Sequence, residues 1–162
     1  MFEKKKILIL GMARSGVAVA KTLIKRNNKV IINDFKEEKY HDKETIDELR
    51  GLGCEVILGN HPENLVDESI DYIIKNPGIR DDHKYIVKAY ELGIEVINEV
   101  EVAYRLLPDD VTLIGITGTN GKTTTTTLTY LIMKEYFGDR VHLAGNIGYP
   151  LCSILDNLKP GD

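Results

Sequence analysis

The sequence predicts an α/β fold, doubly wound around a mainly parallel sheet. Three observations lead there. Short runs rich in Ile, Val and Leu recur along the 162 residues without polar alternation, as strands covered on both faces require. Segments of helical pattern lie between these runs. Two glycine-containing turns stand where a strand run passes into a helical one.

In chain order the strand runs are residues 7–10, 30–33, 55–58, 72–74, 95–97, 112–116 and 141–144. The helical segments are 15–26, 43–52, 82–92, 99–107 and 122–136. Gly53 and Gly93 each end a helical pattern, where a left-handed cap favours glycine, and each leads at once into a strand run. Residues 106–110, with Pro108 and two aspartates, break the pattern and read as a joint between two units.

Composition narrows the function classes. With 43% hydrophobic residues, 21 basic and 25 acidic side chains and a formal charge of -4, the chain has core enough to fold and no basic block. Nucleic acid and membrane surfaces are therefore not expected partners. Lys4, Lys5 and Lys6 precede only four apolar residues before Gly11, too few for a secretion signal, and no run of membrane-spanning length occurs. Cys54 and Cys152 follow no metal-binding or redox spacing and read as small buried hydrophobes. A cytoplasmic protein is expected.

The first turn is Gly11, Met12, Ala13, Arg14, Ser15, Gly16, between the first strand run and the first helix. Glycine permits the tight turn, and the N–H groups of a helix start can receive a diphosphate. Asp34 stands 23 residues after Gly11, where a ribose contact is expected. Ala13, however, occupies the place of the middle glycine of G-x-G-x-x-G, which speaks against NAD. Read alone, the turn fits a phosphorylated ligand and a packing turn equally.

The second turn, Gly118, Thr119, Asn120, Gly121, Lys122, Thr123, Thr124, carries G-x-x-G-K-T before a helix. Its chemistry is that of a nucleotide phosphate site. Backbone N–H groups wrap the phosphates, the Lys122 ammonium meets the β and γ phosphates, and the Thr123 hydroxyl ligates Mg²⁺. Thr124 would add a phosphate contact, while Thr125, Thr126, Thr127 and Thr129 read as packing residues or as hydroxyls bonded back to the helix. Asn76-Pro77-Gly78 and Gly145-Asn146-Ile147-Gly148 are structural turns by type, yet both follow predicted strands, where ligands of open α/β sheets bind. His41, His61, His83 and His142 form no metal-ligand pair and read as surface or packed residues. Glu99 and Glu101 read as helix-start acids.

Together, G-M-A-R-S-G at 11–16, N-P-G-I at 76–79, I-T-G-T-N-G-K-T-T at 116–124 and G-N-I-G-Y-P at 145–150 resemble the Mur ligase family. Within it, the Ala-Arg-Ser-Gly turn narrows the likeness to the members that add D-glutamate to UDP-N-acetylmuramoyl-L-alanine. The resemblance implies a Rossmann-like, mainly parallel sheet domain at 1–97 that binds the UDP substrate. It is followed at 98–162 by the start of a P-loop-type α/β ATP-binding domain. It further implies ATP and Mg²⁺ as cofactors, an acyl phosphate in peptidoglycan precursor synthesis, and a monomeric full-length enzyme. Carried over by position, Gly118, Thr119, Asn120, Gly121, Lys122, Thr123 and Thr124 hold ATP. Lys122 is catalytic and Thr123 binds the metal. Ala13, Arg14, Ser15, Asp34, Asn76, Gly78 and Asn146 hold the UDP substrate. The family's remaining metal and D-glutamate residues fall beyond Asp162, so the chain is expected to be a fragment, inactive alone. The competing expectation is a nucleotide- or NAD-binding regulatory module without ligase chemistry.

Overall fold

The computed structural model describes residues 2–162. Its centre is a sheet of five parallel strands: β1 (Lys6–Leu10), β2 (Lys29–Asp34), β3 (Glu55–Leu58), β4 (Tyr72–Lys75) and β5 (Glu95–Ile97), in the order β3-β2-β1-β4-β5. β1 explains why the runs lack polar alternation. Ile7 and Ile9 point into one apolar layer and Leu8 and Leu10 into the other, and all four are buried.

The first layer is supplied by helices α1 (Arg14–Ile24), α2 (Lys43–Gly51) and α4 (Glu99–Tyr104), through side chains such as Val19, Leu23, Leu49 and Val102. The second is supplied by α3 (Lys84–Glu91), through Tyr85, Ile86 and Ala89, together with Val66 and Ile70. The last two belong to the connection from β3 to β4, which crosses the sheet without a helix. Asp71 anchors its end, accepting from the Lys6 N–H (2.8 Å) and the Lys5 ammonium (2.9 Å).

The predicted glycine caps are present. Beyond α2, the Gly53 N–H donates to the Arg50 carbonyl and Cys54 N–H to Leu49; beyond α3, Gly93 N–H donates to Tyr90 and Ile94 N–H to Ala89. These paired bonds make Schellman motifs, with φ of +88° at Gly53 and +69° at Gly93. Asn27 takes the same role after α1, at φ +59°.

All five predicted helices form, the last as α5 (Lys122–Phe137). Two of the predicted strands do not. Residues 112–116 are irregular, tied by one bond from the Thr112 N–H to the Asp162 carbonyl, with Leu113 and Ile114 48% and 55% exposed. Residues 141–144 contribute a single bridge, Ala144 to Tyr149. A parallel strand exists only through its neighbour's hydrogen bonds, and among the described residues neither run has such a neighbour. Around the second turn there is thus an irregular segment followed by α5, without the predicted strand. A short helix absent from the sequence reading, α6 (Leu151–Ile154), docks on α1 and α4 and buries Cys152. No helix among the described residues is long and apolar enough to cross a membrane.

Gly93 has open space where a Cβ would sit, so Gly93→Ala introduces backbone strain alone. It should lower stability by about 1 kcal/mol in urea unfolding followed by tyrosine absorbance, and Gly93→Asn by roughly half that.

Candidate functional site

The connections from β1 and β4 leave toward opposite edges of the sheet, and the carboxyl ends of these two neighbouring strands open a crevice. A cleft of about 390 Å³ lies there, lined by Gly11, Asn33, Asp34, Phe35, His61, Asn76, Gly78, Arg80 and His83 among others.

The first turn is built tightly into one side of it. Gly11 N–H donates to the Asn33 carbonyl (2.8 Å) and Asn76 N–H to the Leu10 carbonyl (3.2 Å), joining three strand ends. A Cβ on Gly16 would lie 2.1 Å from the Gly11 carbonyl oxygen, and one on Gly11 would lie 2.3 Å from Asn76 Nδ2. Ala13 is the N-cap of α1, with an extended backbone and a side chain that offers no capping bond. The helix's first free N–H groups, those of Arg14, Ser15 and Gly16, have no hydrogen-bond partner among the described residues. The Ser15 hydroxyl donates to Asn76 Oδ1 (2.7 Å).

Asp34 lines the cleft with its carboxylate engaged: Oδ2 accepts from Met12 N–H (2.7 Å) and Oδ1 from Lys36 N–H (2.9 Å). It braces the turn from below. Arg14 reaches outward and donates to the Gly148 carbonyl (2.5 Å), drawing the turn that carries exposed Asn146 toward the α1 start. α6 fastens the same segment. Glu99, buried at the head of α4, accepts from Cys152 N–H (2.6 Å), and the Thr22 hydroxyl donates to the Cys152 carbonyl (3.1 Å). Glu101 instead pairs with Arg105. Burial pushes the Cys54 thiol up to about 11 and raises that of Cys152 further, so both stay protonated.

The second turn is apart from this cleft and exposed. Gly121 caps α5 without a side-chain bond, and the Lys122 ammonium folds over the loop, donating to the carbonyls of Gly118 (2.5 Å) and Thr119 (3.2 Å). Thr119, Asn120, Thr123 and Thr124 are exposed beside it. Thr126 and Thr129 line an apolar trough of about 490 Å³ against residues 111–116 and 141–145. No hydroxyl of residues 123–127 bonds back to the helix among the described residues.

Phe35 and Arg80 carried no reading in the sequence, and His61 and His83, read there as surface or packed residues, line the cleft with them. Their common signal is place, since each lies within a few residues of a strand's carboxyl end or at the start of α3. Burial and the neighbouring His83 and Lys84 lower the His61 pKa, and burial lowers that of His83.

The family described as Mur ligase MurD-like, N-terminal domain, matches residues 5–98. The UDP-N-acetylmuramoylalanine–D-glutamate ligase of Enterococcus hirae is 47% identical over 99% of the chain, and that of Streptococcus agalactiae 46% over 99%. The chain spans about a third of these relatives, 34% and 35% of their length. Among solved structures, a pseudomurein peptide ligase type C from Methanothermus fervidus is similar with TM-score 0.56 and 26% identity, over 93% of this chain and 31% of that one. The UDP-N-acetylmuramate–alanine ligase of Thermotoga maritima is similar with TM-score 0.52 and 26% identity, over 82% and 30%.

Gly16→Ala should force α1 away from the Gly11 carbonyl, costing about 2–3 kcal/mol in chemical denaturation. Ser15→Ala, which removes only the bond to Asn76, should cost about 1 kcal/mol.

Proposed function

Because the chain belongs to the Mur ligase family, in its MurD-like branch, we propose that residues 1–97 bind the UDP portion of UDP-N-acetylmuramoyl-L-alanine and that 98–162 begin an ATP-phosphate site. The enzyme so served joins D-glutamate to the alanine carboxylate of that substrate, in the cytoplasm. The observation that carries this is the start of α1. Three unpartnered N–H groups stand at the first turn of α1, a few residues after Gly11, which lines the switch-point cleft, and Ser15 among them bonds the cleft residue Asn76, an arrangement suited to a diphosphate with the Arg14 guanidinium close by.

In this reading Ser15, Asn76 and Gly78 shape the diphosphate end. Asp34 acts through the Met12 N–H it holds, and Asn146 approaches the sugar or lactyl-alanine end on the turn that Arg14 ties down. Ala13 keeps an ordinary backbone conformation, φ -80° and ψ 177°, and its methyl group argues for a ligand other than NAD.

The second turn has a donor set that fits ATP. Gly118, Thr119, Asn120, Gly121 and Thr124 offer exposed backbone and side-chain donors at an uncapped helix start, and Lys122 is the nearby cation. No group of three or more His, Cys, Asp or Glu side chains converges on a metal site among the described residues. The Thr123 hydroxyl would supply one neutral oxygen to Mg²⁺, beside phosphate oxygens and the ligands that the family resemblance places beyond Asp162. ATP supplies the phosphoryl group that makes the alanine carboxylate an acyl phosphate, open to attack by the amine of D-glutamate. Lys122 neutralises charge on that group as it moves, which requires the ammonium to leave the Gly118 and Thr119 carbonyls.

Isothermal titration of the 162-residue chain should show binding of UDP-N-acetylmuramoyl-L-alanine, weakened about tenfold by Arg14→Ala. Lys122→Ala should leave that affinity unchanged and lower affinity for MgATP. Binding of NAD with none of the UDP-sugar would replace this reading with an NAD-binding module.

A further inference from the structure

We propose that His61 reads the base of the nucleotide in the switch-point cleft, its Nε2 accepting a hydrogen bond from a ring N–H so that uracil is taken and cytosine refused. The proposal rests on the nucleotide reading above and names the group that would set its specificity.

Asn33 is fully buried near the end of β2. Its Nδ2 donates to the carbonyls of Ile57 (3.0 Å) and Asn60 (2.8 Å). Both partners can only accept, so the amide cannot be turned around, and Oδ1 must face His61. His61 Nδ1 lies 2.5 Å from that oxygen. A carbonyl oxygen has no proton to give, so Nδ1 carries it. A neutral imidazole has a single N–H, which leaves the lone pair on Nε2. Among the described residues Nε2 has no hydrogen-bond partner, and it is not a buried atom.

The ring is held in place as well as in tautomer. His83 and Tyr85 meet it edge-on, with ring centroids 5.0 and 5.5 Å away, and Lys84 donates to the His61 carbonyl (2.9 Å). The surroundings also keep it neutral. Burial disfavours a second proton, and His83 and Lys84 on the α3 side add to it, against a smaller opposing pull from Asp34 on β2; Arg80 and Asp82 line the same cleft. Phe35, 73% exposed, stands 5.7 Å from the His61 ring and offers an apolar face beside the acceptor. A flat ring against Phe35 with an N–H toward His61 satisfies both features. Uracil carries that N–H at N3. Cytosine carries a lone pair there, and two lone pairs repel.

UDP and CDP share their ribose and phosphates, so the ratio of their affinities isolates the base. In titrations of the 162-residue chain at neutral pH, UDP should bind about tenfold tighter than CDP or more. His61→Phe keeps a flat ring without nitrogens and should bring the two within about threefold of each other. In the unmodified chain the preference should shrink as the pH is lowered below the usual imidazole range and through the depressed His61 pKa, where Nε2 gains a proton and becomes a donor, and the variant should show no such change. Nitrogen-15 NMR of the unmodified chain should place the His61 proton on Nδ1 and show the Nε2 resonance shifting with UDP. An unchanged ratio in His61→Phe, or a proton on Nε2, overturns the assignment. UDP binding without base preference overturns it while leaving the nucleotide reading intact, whereas no UDP binding by the unmodified chain removes both.

Discussion

The contact on which the rest of this structure depends is the approach of α1 to the turn that precedes it. The Gly11 carbonyl oxygen sits where any side chain on Gly16 would have to be, 2.1 Å from an added Cβ. That closeness sets the angle at which α1 leaves the sheet. It thereby aims the free N–H groups of Arg14, Ser15 and Gly16 and brings Ser15 to Asn76 across the crevice. It also lets Arg14 reach Gly148, far along the chain. A longer approach would keep the sheet and lose the alignment.

Around this contact the buried polar side chains all serve as clasps between distant segments. Asn28 accepts from Lys5 N–H (3.0 Å) and donates to the carbonyls of Phe2 and Leu23 (2.9 Å each). Asn33 joins β2 to the segment after β3, and Thr22 and Glu99 together hold the Cys152 backbone. None of these buried groups is left unpaired, and each bond costs little because it replaces one that water would have made. Three of them end on backbone that lines or borders the cleft or anchors α6, so the core's polar content and the site's geometry are one arrangement.

The sheet was legible because a strand buried on both faces leaves an unmistakable run, and 7–10, 30–33 and 72–74 are such runs. The same signal misled at 112–116 and 141–144, where apolar residues report a tendency to be covered but not what covers them. The first turn was legible as a phosphate or packing turn because glycine spacing is local. The Asn33, His61 and His83 cluster was not, since these residues are separated by long stretches of sequence and meet only because parallel strands end side by side. Asp34 shows a finer limit: its position marked it, while its service to Met12 N–H depends on a turn geometry that no residue pattern encodes.

α5 has one further consequence, for the way the chain unfolds. Its sixteen residues include no buried side chain, whereas β1 is almost wholly enclosed. A helix of this length gains little from its own hydrogen bonds and needs a packed face to persist. Loss of helix signal and loss of the sheet's packing therefore need not coincide: α5 can fray and re-form while the five strands remain paired. Cooperativity in this chain belongs to the sheet and the helices clasped to it, and the Lys122 turn sits on the element that lies outside that cooperative unit.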